Sequence, residues 1–246
     1  MQLEIAVLSR PGGRSSNQDA CGFWSGPGVC FCVVADGAGG HRGGDVASKL
    51  VVQETLGWFR ERHECSGPAI EAAMRNANEK VVSMQQSNDD IGDMRTTAVV
   101  LAIDFDSELA TWGHLGDSRL YCFRQDRIVV QTRDHSVVQS LVEAGLLEEK
   151  DLRTAPDRSK LLAALGDLDS FEPRVASELF PLQDHDKFLL CTDGLWEYVE
   201  ESELQATLEA AGSAEEWLRL LEGRVLARGR TGQDNYSALA VWCKSE

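Results

Sequence analysis

Short apolar runs separated by polar, glycine-rich turns dominate the hydrophobicity pattern of this chain. Three of the runs have an aspartate close to one end: Asp36 directly follows the run 29–35, Asp193 directly follows the run 188–192, and the pair Asp234-Asn235 directly precedes the run 236–242. β-rich runs of this length, bounded by glycine, predict buried strands. Because an aspartate at the end of a buried strand is held at the edge of a sheet, the three can meet in space. Oxygen ligands on rigid elements suit Mg²⁺ or Mn²⁺, so the pattern predicts a carboxylate metal site.

The rest of the pattern predicts a layered fold. Further strands are predicted at 3–8, 21–24, 97–103, 110–115, 120–123, 127–131 and 175–179. Helices are predicted at 45–62, 68–86, 136–144, 148–152, 202–210 and 214–227, and a flexible loop at 37–44. Closely spaced strands with helices between them and near the end predict an α+β fold, in which mostly antiparallel sheets are covered by helices. We expect one domain over residues 1–246, with an insertion at about residues 135–172.

Composition narrows the possible partners. The net charge is −16, which disfavours nucleic acid and anionic membranes because both require clustered Lys and Arg. No apolar stretch reaches the roughly 18 residues of a membrane span, and the N-terminus lacks the pattern of a secretory signal. The seven cysteines form no CxxC pair, so buried thiols in a reduced cytoplasm are favoured over zinc ligands or disulfides. This acidity would repel a phosphate substrate unless bound divalent cations reversed the local charge.

Two further turns carry residues that could take part in binding or catalysis. Arg14 lies shortly before Asp19 in a turn rich in Gly and Ser, and Asp117 lies in the turn Gly116-Asp117-Ser118-Arg119. A guanidinium fork suits phosphate oxygens, and Asp19 can support a metal ion or its waters. Each turn alone is explained by conformation, since Gly, Asp and Ser are common turn residues. The combination and its order along the chain point to a functional site.

Eight short motifs together resemble the metal-dependent serine/threonine protein phosphatases, the PPM or protein phosphatase 2C family, of bacterial type. The motifs stand in the family's order: Arg14…Asn17-Gln18-Asp19, residues 33–40, Thr96-Thr97-Ala98, residues 116–119, Asp134-His135-Ser136, Ala164-Leu165-Gly166, residues 191–196 and Asp234-Asn235. The resemblance implies a four-layer α/β/β/α sandwich of two antiparallel sheets flanked by helices. It also identifies residues 135–172 as the family's flap subdomain, which we call the flap segment.

The resemblance further implies a role for each site residue. Asp36 would bridge two Mn²⁺ or Mg²⁺ ions, with Asp193 and Asp234 completing one coordination shell. The Gly37 carbonyl and waters would complete the other shell, and Asp19 would hold those waters. Arg14 would bind the substrate phosphate, and Asp117 would help to hold a third, weaker ion. Two ions close together lower the pKa of a bound water, so a metal-activated water can attack the phosphorus and no cysteine nucleophile is needed.

The chain departs from the family pattern in ways that affect the chemistry. Ala38 occupies the position of a histidine that serves eukaryotic members as general acid. His41 is nearby, but a solvent-exposed loop histidine without a chemical role is the simpler interpretation. Gln18 replaces the glutamate of many members, and Glu197 replaces an aspartate that contributes to the third ion in some relatives.

These features predict a monomeric, cytoplasmic phosphatase acting on phosphoserine and phosphothreonine in proteins, opposite a Ser/Thr kinase. Some such kinase–phosphatase pairs control type VI secretion, which is the narrowest context the resemblance suggests. The main alternative is a catalytically silent module of the same fold that binds phosphoproteins, although the intact Asp36, Asp193 and Asp234 argue against it. A nuclease is disfavoured by the acidic surface, and a nucleotide-cradling loop at 37–44 lacks the Lys-Ser/Thr of a P-loop.

Overall fold

The computed structural model describes residues 1–38, 40–229 and 231–244, with the backbone alone at residues 40–42. The strands are β1 (Gln2–Arg10), β2 (Asp19–Gly26), β3 (Val29–Ala38), β4 (Arg95–Thr96), β5 (Ala98–Asp104), β6 (Leu109–Leu115), β7 (Arg119–Arg124), β8 (Arg127–Gln131), β9 (Arg174–Val175), β10 (Phe180–Pro181), β11 (Lys187–Cys191) and β12 (Tyr236–Lys244). The helices are α1 (Gly40–Arg62), α2 (Gly67–Ser87), α3 (Val137–Glu143), α4 (Asp193–Trp196), α5 (Glu201–Ala210) and α6 (Ala214–Arg228). Short 3₁₀ turns lie at Asp89–Ile91 and Glu149–Asp151.

Two antiparallel sheets form the centre of the molecule. One has the strand order β1-β12-β11-β7-β8, and the other has the order β10-β6-β5-β3-β2, with β4 paired to β3 and β9 to β6. Helices α1 and α2 contribute to a core cluster with β3, β5 and β6, whereas α5 and α6 pack on β7, β11 and β12. The predicted four-layer α/β/β/α sandwich is therefore confirmed.

The facing surfaces of the sheets explain why several strands are apolar on both sides. Alternate side chains of β3 divide between two cores, with Cys30, Cys32 and Val34 between the sheets and Phe31 and Val33 under the helices. A strand buried on both faces reads as a continuous apolar run rather than an alternating one. This double burial produces the uninterrupted runs that precede Asp36 and Asp193, and it fixes the ends of those strands.

The boundaries near the first aspartate differ from the prediction. Residues 37–44 were predicted as a flexible loop, but β3 continues to Ala38 and α1 begins at Gly40, while Gly39 lies outside the described residues. The glycines permit close packing instead of flexibility: a Cβ on Gly44 would lie 2.7 Å from the Gly37 backbone, and one on Gly43 would lie 2.8 Å from Met94. Glycine without such contacts favours a loop, so sequence alone misjudged this segment.

Two smaller predictions in and after the flap segment were also wrong. The single strand expected at 175–179 is replaced by the separate short strands β9 and β10 on the same neighbour, β6. The helix expected at 148–152 is a 3₁₀ turn. The flap segment runs between β8 and β9 and returns Leu165 to a bridge with Thr96. Among the described residues, no helix combines the length and apolarity needed to cross a bilayer.

Candidate active site

The first pair of predicted site residues is brought together by strand register. Asp19 on β2 lies directly opposite Asp36 on β3 in their antiparallel pair. The Asp36 backbone is fixed by Thr97, whose hydroxyl accepts from the Asp36 amide at 3.1 Å and whose amide donates to the Asp36 carbonyl at 2.9 Å. Asp19 is almost fully buried, and its Oδ2 accepts from the Thr192 hydroxyl at 3.0 Å. Thr192 immediately precedes Asp193, so these bonds join both sheets at the site.

Asp193 and Asp234 meet because a glycine allows two turns to touch. A Cβ on Gly194 would lie 1.9 Å from the carbonyl oxygen of Asn235, so only glycine fits between these turns. Gly12 has a positive φ of 58°, and a Cβ there would lie 2.1 Å from the carbonyl oxygen of Asp234. The glycine of the Asp-Gly pair at 193–194 is therefore required for the close approach of this turn to Asn235, in addition to the preference of Asp-Gly pairs for turns.

Asn235 has a structural role that the sequence analysis did not predict. Its Oδ1 accepts from the Gln18 amide at 2.8 Å, and its Nδ2 donates to the carbonyls of Pro11 and Ser16, both at 2.9 Å. Its own amide donates to Asp234 Oδ1 at 2.8 Å. One amide side chain thus holds the turn bearing Arg14 beside the turn bearing Asp234. The Asp-Asn pair before a buried strand was visible in the sequence, but its long-range partners were not.

Asp117 joins the same end of the sandwich from the turn between β6 and β7. It is 5% exposed, and its carbonyl accepts a hydrogen bond from the indole Nε1 of Trp196 at 2.9 Å. Trp196 ends α4, the short helix that begins at Asp193. The predicted third-ion residue is therefore tied to the turn that carries a predicted first-site ligand.

Burial and, after it, the crowding of carboxylates determine the electrostatics of the site. Burial, followed by the charges of Asp193, Asp19 and Asp117, raises the pKa of Asp36 well above its ordinary value. Burial and the neighbouring carboxylates also raise the pKa of Asp193 to about 7. For Asp19, burial and Asp234 raise the pKa to about 6, against hydrogen bonds that lower it. Such a group of acids ionises together readily only when cations offset the repulsion.

The residues present fit divalent cations. Oδ1 of Asp19 and Oδ1 of Asp193 are buried and have no hydrogen-bond partner, which leaves two oxygen donors unsatisfied in the interior. All the acidic side chains are hard oxygen donors, the type that Mg²⁺ and Mn²⁺ take. Across the described residues, no group of three or more His, Cys, Asp or Glu side chains is arranged to hold a metal ion by itself. The arrangement is an open site in which carboxylates, the Gly37 carbonyl and water would share the coordination.

An open cleft of about 1320 Å³ leads to this group of carboxylates. Arg14, Asp193, Asp234 and Glu197 line it, whereas Asp19, Asp36 and Asp117 are not among its lining residues. Arg14 Nη2 donates to Asp234 Oδ2 at 2.9 Å, and both side chains are about half exposed. The guanidinium is therefore beside the carboxylates and open to a ligand in the cleft.

The departures from the family pattern occupy different environments. Ala38 is exposed at the end of β3, opposite Arg95 on β4. The side chain of His41 lies outside the described residues. The Gln18 backbone is structural, because its carbonyl accepts from the Ser48 hydroxyl at 2.5 Å. Glu197 accepts from Arg158 of the flap segment at 2.8 Å, a contact that the sequence did not predict.

Comparison with known proteins places this site in a family. The family model described as protein phosphatase 2C matches residues 11–227. A serine/threonine phosphatase, stp, from Listeria welshimeri is 33% identical over 216 residues, which cover 85% of this chain and 82% of the relative. The chain belongs to the protein phosphatase 2C family. The predicted family and the predicted enzyme class, a protein-serine/threonine phosphatase, are thereby confirmed.

Solved structures agree with this assignment. The catalytic domain of PstP, a serine/threonine protein phosphatase crystallised with two manganese ions, superposes with a TM-score of 0.82 at 28% identity, covering 99% of both chains. A structure described as PppA, a key regulatory component of T6SS in Pseudomonas aeruginosa, has a TM-score of 0.79 at 31% identity, covering 98% of this chain and 97% of that one. Both are bacterial proteins with the same layered architecture.

Proposed function

We propose that this protein hydrolyses phosphoserine and phosphothreonine in protein substrates at a binuclear Mn²⁺ or Mg²⁺ centre. The observation that carries the proposal is the convergence of five aspartates from strands and turns that are far apart in the chain, two of them with buried oxygens that lack hydrogen-bond partners. A family relative holds two manganese ions, which supports the number of ions. A carboxylate cluster with no cation would repel a phosphoryl group, so a phosphate substrate at this site requires bound metal ions.

Asp36 would contact both ions, Asp193 and Asp234 would hold one of them, and the Gly37 carbonyl would face the other. Asp19 would orient water through its free oxygen, while its second oxygen stays fixed by Thr192. When bound, the ions would supply hydroxide from water near neutral pH and offset the phosphoryl charge. Asp117 and Glu197 would contribute to a weaker third ion.

Arg14 would bind and orient the substrate phosphate. Its guanidinium is anchored by Asp234 at 2.9 Å and is half exposed toward the cleft, so N–H donors remain for phosphate oxygens. Asn235 holds the Arg14 turn in place, which limits the movement needed on binding. In-line attack requires this orientation, because positioning supplies a large share of phosphoryl-transfer catalysis.

The leaving group would depart without a histidine at position 38. Ala38 offers no proton donor, so the serine or threonine oxygen would take its proton from water in the cleft. This favours substrates with good leaving groups over poor ones. It also separates this chain from members with a histidine at that position.

The cellular context follows from the substrate class. We place the enzyme in the cytoplasm as a monomer opposite a Ser/Thr kinase, and the seven cysteines, all free, are compatible with a reducing compartment. Control of type VI secretion is the narrowest role we propose, supported by the likeness to PppA. Nucleic acid and membranes are not proposed as partners, because the net charge is −16.

Turnover of matched phosphopeptides tests this proposal against the silent-module alternative. One peptide sequence carrying phosphoserine, phosphothreonine or phosphotyrosine is incubated with the protein and Mn²⁺, and released phosphate is measured. We expect hydrolysis of the first two and slow or no hydrolysis of the third. Binding of the phosphoserine peptide without phosphate release would support the silent module, and preference for phosphotyrosine would contradict the substrate assignment.

A further inference from the structure

One arginine of the flap segment makes three hydrogen bonds to the body of the protein. Arg153 Nε donates to the carbonyl of Trp196 at 3.0 Å, and its Nη2 donates to the carbonyl of Val199 at 3.4 Å and to Glu201 at 2.8 Å. The preceding residue, Leu152, is 5% exposed and belongs to the same core cluster as Trp196. Residues 152–153 are thus one place where the flap segment holds the turn between α4 and α5, and we call the three hydrogen bonds of Arg153 the grip.

The carbonyl of Trp196 that Arg153 contacts lies at the C-terminal end of α4. A helix of four residues, Asp193–Trp196, leaves carbonyl groups at its C-terminal end without partners within the helix. A guanidinium carries several donors in one plane, so a single arginine can satisfy two carbonyls and a carboxylate at once. No other charged side chain has this donor geometry, which makes position 153 sensitive even to lysine.

Trp196 connects this grip to the turns that carry the site. Its indole donates to the carbonyl of Asp117 at 2.9 Å, and it lies three residues after Asp193. The Arg119 guanidinium stacks 3.5 Å from the centre of the indole ring. Asp134, directly before the flap segment, receives two bonds of 2.8 Å from Arg119. The flap segment is therefore tied to the same tryptophan at its start, through Asp134 and Arg119, and in its middle, through Arg153.

The flap segment supplies part of the lining of the cleft. Its residues Lys150, Arg153, Thr154, Arg158 and Ser159 line the same cleft as Asp193 and Asp234, and we call these five residues the flap wall. A small phosphate ester needs only the carboxylate side of the cleft. A phosphorylated peptide extends past the phosphate on both sides and must also meet the flap wall.

We propose that Arg153 is a positioning residue that holds the flap segment against Trp196 and thereby shapes the wall that a phosphopeptide meets. This inference rests on the proposed function for its substrate, but its structural part can be tested without turnover. Arg153 is assigned no contact with the phosphate or with a metal ion. Its effect passes through the position of residues 150–159.

The test compares Arg153→Gln and Arg153→Lys with Lys160→Gln in the Mn²⁺-loaded protein. Lys160 is a flap cation that pairs with Asp157 inside the flap segment at 2.9 Å, so its variant removes the same charge without touching the grip. Hydrogen–deuterium exchange is followed in residues 145–165, with strand β5 as the internal reference for global folding. KM and kcat are measured for a phosphoserine peptide and for p-nitrophenyl phosphate.

For Arg153→Gln we expect faster exchange in residues 145–165 with β5 unchanged, and a rise in peptide KM of about fivefold, which corresponds to roughly 1 kcal/mol. Both constants for p-nitrophenyl phosphate should stay within about twofold of wild type, the spread expected where no bond is lost. Arg153→Lys should lie between wild type and Arg153→Gln, and Lys160→Gln should match wild type.

Unchanged flap exchange in Arg153→Gln would overturn the inference, whatever the kinetics. Equal losses for both substrates would also overturn it, because they would place the effect in the site and not in the flap wall. If the wild type hydrolyses neither substrate, the proposed function fails, while the exchange result still decides whether Arg153 holds the flap. If Arg153→Gln does not fold, Arg153→Lys decides by the same exchange criterion.

Discussion

The two walls of the cleft are held by different forces. By the carboxylate wall we mean Asp193 and Asp234, which line the cleft, together with the neighbouring Asp19 and Asp36, which do not. This wall is fixed by strand register and by main-chain, hydroxyl and amide bonds, such as the pairing of Asp19 with Asp36 and the hydrogen bonds of Asn235. The flap wall is fixed by arginine side chains that are partly exposed: Arg153 is 21% exposed and Arg158 is 38% exposed. Exposed ion pairs contribute only about 0–1 kcal/mol each.

The two walls are held differently because they have different tasks. Groups that would hold cations must keep their geometry, and buried strand ends provide that because moving them would break the core. A wall that meets varied protein substrates benefits from contacts that can rearrange at a small cost in free energy. One cleft is thus lined both by residues next to buried strand ends and by flap residues held through partly exposed arginines, and the following predictions act on one wall at a time.

Removing a charge from the carboxylate wall should have the largest effect. Asp36→Asn or Asp193→Asn is expected to lower kcat/KM for a phosphopeptide by more than about a hundredfold, since even the outer partners of metal ligands contribute about 10–100-fold. Each variant should fold normally, because the amide keeps the shape and lowers the repulsion. Glu178→Gln, an exposed carboxylate away from the cleft lining, is the control. A variant with near wild-type rate and full metal content would remove that aspartate from the ligand set.

Replacing Arg14, which lines the cleft beside Asp234, should have the second-largest effect on activity. Arg14→Ala is expected to lower kcat/KM at least about tenfold, since hydrogen bonds to charged groups contribute about 1.5–3 kcal/mol. The Mn²⁺ affinity should stay nearly constant. Arg10→Ala removes a nearby exposed arginine that pairs with Glu222 at 2.8 Å, and it should leave both quantities unchanged. A loss that appears mainly in metal affinity would contradict the phosphate-binding role.

A histidine at position 38 should sharpen the chemistry of the carboxylate wall without changing its charge. Ala38→His is expected to raise kcat for a phosphoserine peptide by a few fold, and to raise it less for an aryl phosphate that leaves without a proton. The two substrates are compared in both proteins across a pH series. Equal gains for the two would mean that another group already supplies the proton.

The stability of the metal-free protein should depend on pH through the carboxylate wall. The pKa of Asp193 is raised from 3.8 to about 7, so its contribution to stability is fully present below about pH 4 and is lost as pH rises through 7. The Tm of the chelator-treated protein should therefore fall from pH 5 to pH 8, by about 2–4 °C for each kcal/mol lost. Asp193→Asn should flatten this slope, and added Mn²⁺ should reverse it. A slope identical in the Asp193→Asn variant would contradict the crowding described for the site.

Much of this contrast could be predicted from the sequence, for identifiable reasons. The apolar runs before Asp36 and Asp193 are long because both faces of those strands are buried, so the strands and their terminal carboxylates were recognisable. The glycines at 43 and 44 were misjudged because glycine permits both loops and close packing, and only the approach of Gly43 to Met94 and of Gly44 to Gly37 decides between them. The ties made by Asn235 and Arg153 join residues far apart in the chain, and no local pattern announces such partners.

The number of Mn²⁺ ions bound per chain is the decisive measurement for the proposed binuclear centre. Chelator-treated protein is titrated with Mn²⁺ by calorimetry, and the bound metal is counted after dialysis for wild type and for Asp36→Asn. The account predicts two tightly held ions in the wild type, with phosphopeptide hydrolysis appearing as they bind, and loss of both in Asp36→Asn. Full hydrolysis by a wild-type protein that holds no divalent metal would contradict it.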